Sequence, residues 1–172
     1  MILNYYISDL HFGHANIIRL CNRPYSTVQE MDEDLINKWN SVITDDDDVY
    51  ILGDLIFRAD DPEKYLKALK GRLHIIRGNH DKFLNNPGYR RYFDSIDQYK
   101  ELVDNGKRVV LFHFPIAEWN GYYGGAIHLY GHIHNSRNKT SQTMDNIENC
   151  YNVGADVLDF VPRTLAELIE RG

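Results

Sequence analysis

Five short apolar runs in this chain each end in a cluster of Asp, Asn, Gly and His, and that repeated ending constrains the fold more than any other feature. Residues 2–8 run into Asp9-Leu10-His11, residues 49–52 into Gly53-Asp54, and residues 73–76 into Arg77-Gly78-Asn79-His80-Asp81. Residues 109–112 run into His113, and 127–130 into Gly131-His132-Ile133-His134. Runs this short, bounded by turn residues, predict buried strands. The first three are separated by helical patterns. Val28, Met31, Leu35, Ile36, Trp39, Val42 and Ile43 recur at helical spacing. Thr27-Val28-Gln29-Glu30 before them has the form of a capping box. A second helix starts at Asp61-Pro62, with Asp61 as N-cap, and Gly71 ends it. Residues 96–103 and 107–112, split by Asp104-Asn105-Gly106, predict a hairpin. A further strand is expected over 150–153 and a terminal helix over 164–171. Strands interleaved with helices, plus one hairpin, imply an α/β fold with a mixed sheet. The length of 172 residues suits one domain, 1–172, and no repeat or linker interrupts it.

In open α/β sheets, ligands bind beyond the carboxyl ends of the strands. The five runs therefore deliver Asp9, His11, Asp54, Asn79, His80, His113, His132 and His134 to one edge. Asp9 with His11, and His132 with His134, are i, i+2 pairs, which on extended backbone point to the same side and can grip one centre. Imidazoles, carboxylates and one carboxamide suit divalent Mn, Fe, Zn, Ni or Co, and no thiolate is present to favour soft metals. So many ligands exceed one tetrahedral site and suit two metals about 3.5–4 Å apart that share a carboxylate. Gly53, Gly78 and Gly131 stand just before ligands, where the backbone must approach closely.

Taken in order, Asp9-x-His11, Gly53-Asp54, Gly78-Asn79-His80-Asp81, His113 and Gly131-His132-x-His134 resemble the five blocks of the calcineurin-like metallophosphoesterase superfamily, in its compact, cap-less bacterial and phage form. The resemblance implies two packed mixed β-sheets flanked by helices, a four-layer α/β/β/α sandwich. It implies that Asp9, His11 and His134 hold a first metal, that Asp54 bridges, and that Asn79, His113 and His132 hold a second. His80 matches the catalytic histidine and Asp81 the acid that orients it. The cofactor implied is two divalent metal ions, manganese first, with Fe, Zn, Ni or Co as alternatives. The chemistry implied is hydrolysis of a phosphoester by a metal-bridging hydroxide, with His80 protonating the leaving oxygen or stabilising phosphoryl charge. Where phosphatases of the family often have Gly-Asp-x-x-Asp-Arg, this chain has Gly53-Asp54-Leu55-Ile56-Phe57-Arg58. Arg58 keeps the phosphate-binding position, and Phe57 departs from the acidic one.

Composition narrows the substrate. The net charge of −6 argues against long nucleic acid, which needs Lys and Arg to neutralise phosphates. No apolar run approaches the ~20 residues of a membrane span. Cys21 and Cys150 make no disulfide framework, and residues 1–6 lack a basic segment of the signal-peptide kind, so a cytoplasmic protein is expected. The expected function is a phosphodiesterase acting on a small phosphorylated molecule, a nucleotide or similar. A phosphomonoesterase or protein phosphatase is the alternative, a nuclease the third, and a non-catalytic metal-binding scaffold the remotest. The oligomeric state is open.

Several residues carry two readings. His14 either contacts substrate or caps the Ala15–Leu20 helix. Arg77 either reaches phosphate or pairs with an acid. Trp119, Tyr122 and Tyr123, in a loop expected to border the site, either stack a base or pack on one another. His74 and His128 alternate within strands and predict structural roles. The run Asp45–48 predicts a solvated turn. Residues 152–156 are expected only to turn the chain back.

Overall fold

The computed structural model describes residues 2–171. Strands β1 (Asn4–Ile7), β2 (Asp48–Ile51), β3 (Arg72–Ile76), β4 (Ser95–Asp97) and β9 (Arg163–Thr164) form one sheet, in the order β4-β3-β2-β1-β9. Its first four strands are parallel, and β9 runs antiparallel to β1. The second sheet has the order β5-β6-β7-β8, from β5 (Tyr99–Asp104), β6 (Lys107–Phe112), β7 (Ile127–Tyr130) and β8 (Cys150–Asn152). Here only the β5–β6 pair is antiparallel. The expected mixed sandwich is therefore observed.

Strand alternation explains the layers, because successive side chains point to opposite faces. Tyr5, Ile7, Val49, Ile51, Leu73 and Ile75 join a core with Met31, Leu35 and Trp39 of helix α2 (Val28–Val42) and with Tyr65 and Leu66 of α3 (Pro62–Ala68). Their alternates, Tyr6, Leu52 and Ile76, pack between the sheets against Val109, Leu111, Ile127 and Leu129. Helix α6 (Leu165–Arg171) adds Leu165 and Leu168 to that layer. The outer face of the second sheet packs Val110 against Trp119 and Ala126, and Tyr130 against Ile133 and Met144, the latter on α5 (Lys139–Met144). Strands buried on both faces are why the runs look continuously apolar. No helix among the described residues is long and apolar enough to cross a membrane.

Four details differ from expectation. Residues 96–103 are not one hairpin strand: β4 pairs parallel with β3, and β5 pairs with β6 in the other sheet. Ile96 packs on the helix-side core and Leu102 on the inter-sheet core, so the chain changes sheets between them. The turn itself is as read, with Asn105 and Gly106 both at positive φ (+49° and +78°). Helix α3 stops at Ala68, before Gly71, which lies in the link to β3. Thr27 caps α2 by accepting from the Glu30 N–H, but the Glu30 carboxylate accepts from Ser26 N–H, so the box is displaced by one residue. In the acidic run only Asp45 and Asp46 are solvated. Asp47 is buried and accepts from Leu3 N–H, Thr44 N–H and Thr44 Oγ1. Asp48 lies on β2 and pairs with Arg72 and His74.

Candidate metal centre

The carboxyl ends of β1, β2 and β3 in one sheet and of β6 and β7 in the other meet at one edge. The backbone is not extended there. Asp9, His11, Asp54, His132 and His134 all sit at positive φ, between +50° and +71°. The i, i+2 pairs thus do not work by extended alternation. Five of the seven ligands, all but Asn79 and His113, are themselves left-handed, and the backbone between is laced across strands. Asp9 N–H donates to Gly53 O, His11 N–H to Asp54 O, and Gly131 N–H to His113 O, all at 2.9–3.0 Å. Asp and His tolerate this conformation better than most side chains, yet such residues cost about 1–3 kcal/mol each and persist only where surroundings over-determine them. Gly78 and Gly131 serve close approach: a Cβ on Gly78 would collide with the Asp54 carboxylate, and one on Gly131 with Ser8 Oγ and Asp9 Oδ2.

Two groups of ligand atoms result. His11 Nε2 lies 3.9 Å from Asp9 Oδ1 and 3.7 Å from Asp54 Oδ2, and His134 Nε2 lies 3.8 Å from Asp9 Oδ1. His113 Nε2 lies 3.6 Å from Asp54 Oδ2 and 3.0 Å from Asn79 Oδ1, with His132 Nδ1 3.1 Å from that same oxygen. Asp54 Oδ2 is common to both groups. His132 and His134 are split between them and do not grip one centre. The remaining atoms are spoken for. Asp9 Oδ2 accepts from His132 N–H and Ser8 Oγ, and Asp54 Oδ1 accepts from His80 N–H. His113 Nδ1 donates to Leu52 O at 2.7 Å, which turns its Nε2 toward Asp54 Oδ2.

The donor set fits divalent cations. Asp9 Oδ1 and His11 Nε2 are buried without any hydrogen-bond partner. An unsatisfied buried polar atom costs roughly 1–3 kcal/mol, and a cation between these atoms would satisfy both. Asp9, His11 and His134, and again Asp9, Asp54 and His113, bring ligand atoms within 4.8 Å of one another. Burial, with help from nearby His134 and Arg23, pushes His11 down to about 2, so its imidazole is in the neutral, ligating form. Burial raises Asp9 despite the neighbouring His134 and His113. Burial alone would lower His134, but Asp156, Cys21 and Asp9 hold it up at about 10.

Around this centre the other expected residues fall as follows. His80 is half-buried at the rim, its ring 5.7 Å from the His11 ring and edge-on to Phe57 at 5.0 Å. Asp81 does not orient that ring. Its carboxylate accepts from the N–H groups of Asp54, Leu55 and Gly78 at 2.8–2.9 Å, so it clamps the two ligand loops together; burial raises it to about 6. His14 holds the N-cap position of α1 (Ala15–Leu20), but its side chain makes no capping hydrogen bond; its ring stacks on Phe57 at 3.9 Å and its Nδ1 lies 3.3 Å from His11 Nδ1. Arg58 is exposed, with its guanidinium 5.2 Å from the Phe57 ring. Phe57, the departure from the acidic residue, thus becomes a platform touching His14, His80 and Arg58. Arg77 pairs with no carboxylate: it donates to Asn85 Oδ1 and, at 3.5 Å, to the carbonyl oxygen of Asp81. Beyond His80, a cavity of about 610 Å³ is walled by Phe57, Arg58, Lys82, Phe83 and Tyr89.

The loop after His113 borders the centre only through Phe114, whose ring lies 4.6 Å from that of His132. Trp119 is buried, donates to Ala126 O and stands edge-on to Tyr122, so this loop packs on its own aromatics. His74 and His128 are structural, as expected: His74 pairs with Asp48 and lies 3.1 Å from Ser95 Oγ, and His128 donates to Val110 O. Three residues at the centre escape sequence reasoning. Phe114 is hidden among many aromatics. Asp156 accepts from His134 Nδ1 at 2.7 Å, and Arg23 binds Asp156 in turn. Asp156 follows a strand and a glycine, as Asp54 does, which is the signal that could have found it. Arg23 carries no local signal.

A sequence model described as calcineurin-like phosphoesterase matches residues 5–149. An uncharacterised protein of Methanocaldococcus jannaschii is 37% identical over 174 residues, covering 98% of this chain and 92% of that one. The Gene 66 protein of Mycobacterium phage L5 is 35% identical over 161 residues, covering 76% of each. The crystal structure of a protein of unknown function from Aquifex aeolicus superposes with a TM-score of 0.80 at 26% identity, and all of both chains is covered.

Proposed function

The chain belongs to the calcineurin-like phosphoesterase family, and from that premise we propose that it is a phosphodiesterase that cleaves a small nucleotide or similar diester at a centre of two divalent cations. The observation that carries this reading is the placement of Asp54 Oδ2 between the two groups of ligand atoms, with Asp9 Oδ1 and His11 Nε2 of the first group buried and unpaired and a cavity opening beside His80. Asp9, His11 and His134 would hold one cation, Asn79, His113 and His132 the other, and Asp54 both. Such cations supply Lewis acidity toward phosphoryl oxygens and acidify water near neutral pH. His80 holds a proton at the rim for the leaving oxygen. Arg58 and His14 flank Phe57 and bind a non-reacting phosphate oxygen. The cavity of about 610 Å³ gives room for a leaving group much larger than water, with Phe57 and Tyr89 as faces for a base.

A second reading, a phosphomonoesterase, is favoured by Arg58 and Lys82, two exposed cations on the cavity wall that would meet a terminal dianion. Turnover of bis-p-nitrophenyl phosphate, p-nitrophenyl phosphate, linear dinucleotides and cyclic nucleotides, by chelator-treated protein reloaded with Mn²⁺, separates the two. Preference for diesters, abolished in Asp54→Ala, is expected. Preference for monoesters would select the second reading, and metal binding without any turnover would leave a binding protein.

A further inference from the structure

Arg23 is the most completely engaged cation in the molecule, although it lies outside every motif. Its side chain is fully buried. Nε donates to Asp156 Oδ1 at 2.8 Å, and Nη2 donates to Asp156 Oδ2 at 3.1 Å and to Asp9 O at 2.7 Å. Nη1 donates to Leu10 O at 2.8 Å and faces Met31 Sδ at 3.5 Å. All five N–H groups of the guanidinium therefore have partners. Asp156, equally buried, accepts from both Arg23 and His134 Nδ1.

We propose that Arg23 and Asp156 are positioning residues for the first cation position, that of Asp9, His11 and His134; this rests on the metal-centre reading above. Two acts of positioning combine. The Asp156 carboxylate takes the Nδ1 proton of His134 as its partner, so the ring is held in one orientation with Nε2 turned toward Asp9 Oδ1. The planar guanidinium then ties that carboxylate to the carbonyls of Asp9 and Leu10, inside the loop that holds Asp9 and His11 at positive φ. One side chain thus fixes three ligands from two strand ends, β1 and β7. Arg23 and Asp156 neutralise each other, so the tie adds no net charge beside the cation. None of its contacts reaches Asn79, His113 or His132, so the second position depends on it little.

The test is Mn²⁺ titration by calorimetry of the full chain, with the melting temperature of each apo-protein measured alongside. Asp156→Asn is nearly isosteric, but an amide must turn a donor toward either Arg23 or His134. Arg23→Lys keeps the charge and loses the planar fork. Wild type is expected to bind two Mn²⁺. Both variants are expected to weaken one of the two by about 10–100-fold and leave the other within about threefold. The failure of Arg23→Lys to restore affinity marks geometry, not charge. Two tight sites in both variants would overturn the proposal. So would parallel loss of both sites together with a collapsed melting temperature, which marks a merely structural role. A wild type that binds no Mn²⁺ would fell the metal-centre reading itself, and this inference with it.

Discussion

At the scale of single residues, the centre is built from side chains that each spend one polar atom on the protein and leave one for a ligand. Asp9, Asp54 and His113 all do so. His80 is different: its backbone N–H binds Asp54 while its ring stands free at the rim. His80→Ala is therefore expected to retain Mn²⁺ stoichiometry and to lose about 10²–10⁴-fold in kcat. The loss should be smallest with p-nitrophenol, a leaving group that needs no proton. Equal rates for both proteins on poor leaving groups would remove His80 from proton transfer. Gly131→Ala tests the close approach: a methyl group driven into Ser8 and Asp9 should destabilise by about 3 kcal/mol, measured by urea unfolding. The ligands were legible because each follows a strand directly and belongs to a type that binds metals. Arg23 was not, since nothing near residue 23 announces a partner at residue 156. Asp81 was legible as a site residue but its partners were not, because backbone N–H groups leave no trace in sequence.

At the scale of elements, strand β7 carries a liability unrelated to the centre. His128 is buried on it between Trp119 and Tyr130, and its Nε2 has no partner. Burial lowers its pKa from 6.5 to about 4, although hydrogen bonds to the Val110 and Phe114 backbone oppose that shift. Between those two values the unfolded chain holds a proton that the folded chain refuses, so stability falls as pH drops through that window. The contribution is roughly 2–3 kcal/mol by pH 4.5. His128→Leu is expected to lose less stability than wild type between pH 7 and pH 4.5, by about that amount in urea unfolding. Identical losses would place the acid sensitivity elsewhere. Elements were legible where apolar periodicity was strong, as in α2 and the five strands. The two-residue β9 and the polar α5 show no such pattern. The hairpin was half-legible: Asn105-Gly106 marks the turn, but nothing local tells Ile96 and Leu102 that they belong to different sheets.

For the molecule as a whole, the centre spans both sheets. Asp9, His11, Asp54 and Asn79 come from strand ends of the first, and His113, His132 and His134 from the second. Bound cations would thus add cross-links between two layers joined by apolar packing and by a few hydrogen bonds, such as Tyr6 Oη to Asp104 and His113 Nδ1 to Leu52 O. Saturating one site at about 100 times its Kd stabilises by about 2.7 kcal/mol, or about 5–11 °C in a protein of this size. Mn²⁺ is expected to raise the melting temperature by at least that much, and EDTA to reverse it. A melting temperature indifferent to both would argue that the ligand groups are not bridged by cations. From the residues alone only a mixed sheet was legible. That there are two came from the resemblance, because the sheet a strand joins is decided by distant partners. The place of β9 and Asp156 has a consequence for biosynthesis. All seven ligands lie before residue 135, but the strand that covers β1 and the carboxylate that orients His134 lie after residue 155. A nascent chain on the ribosome therefore displays its full set of ligands, beside an uncovered edge, some twenty residues before it can fasten them.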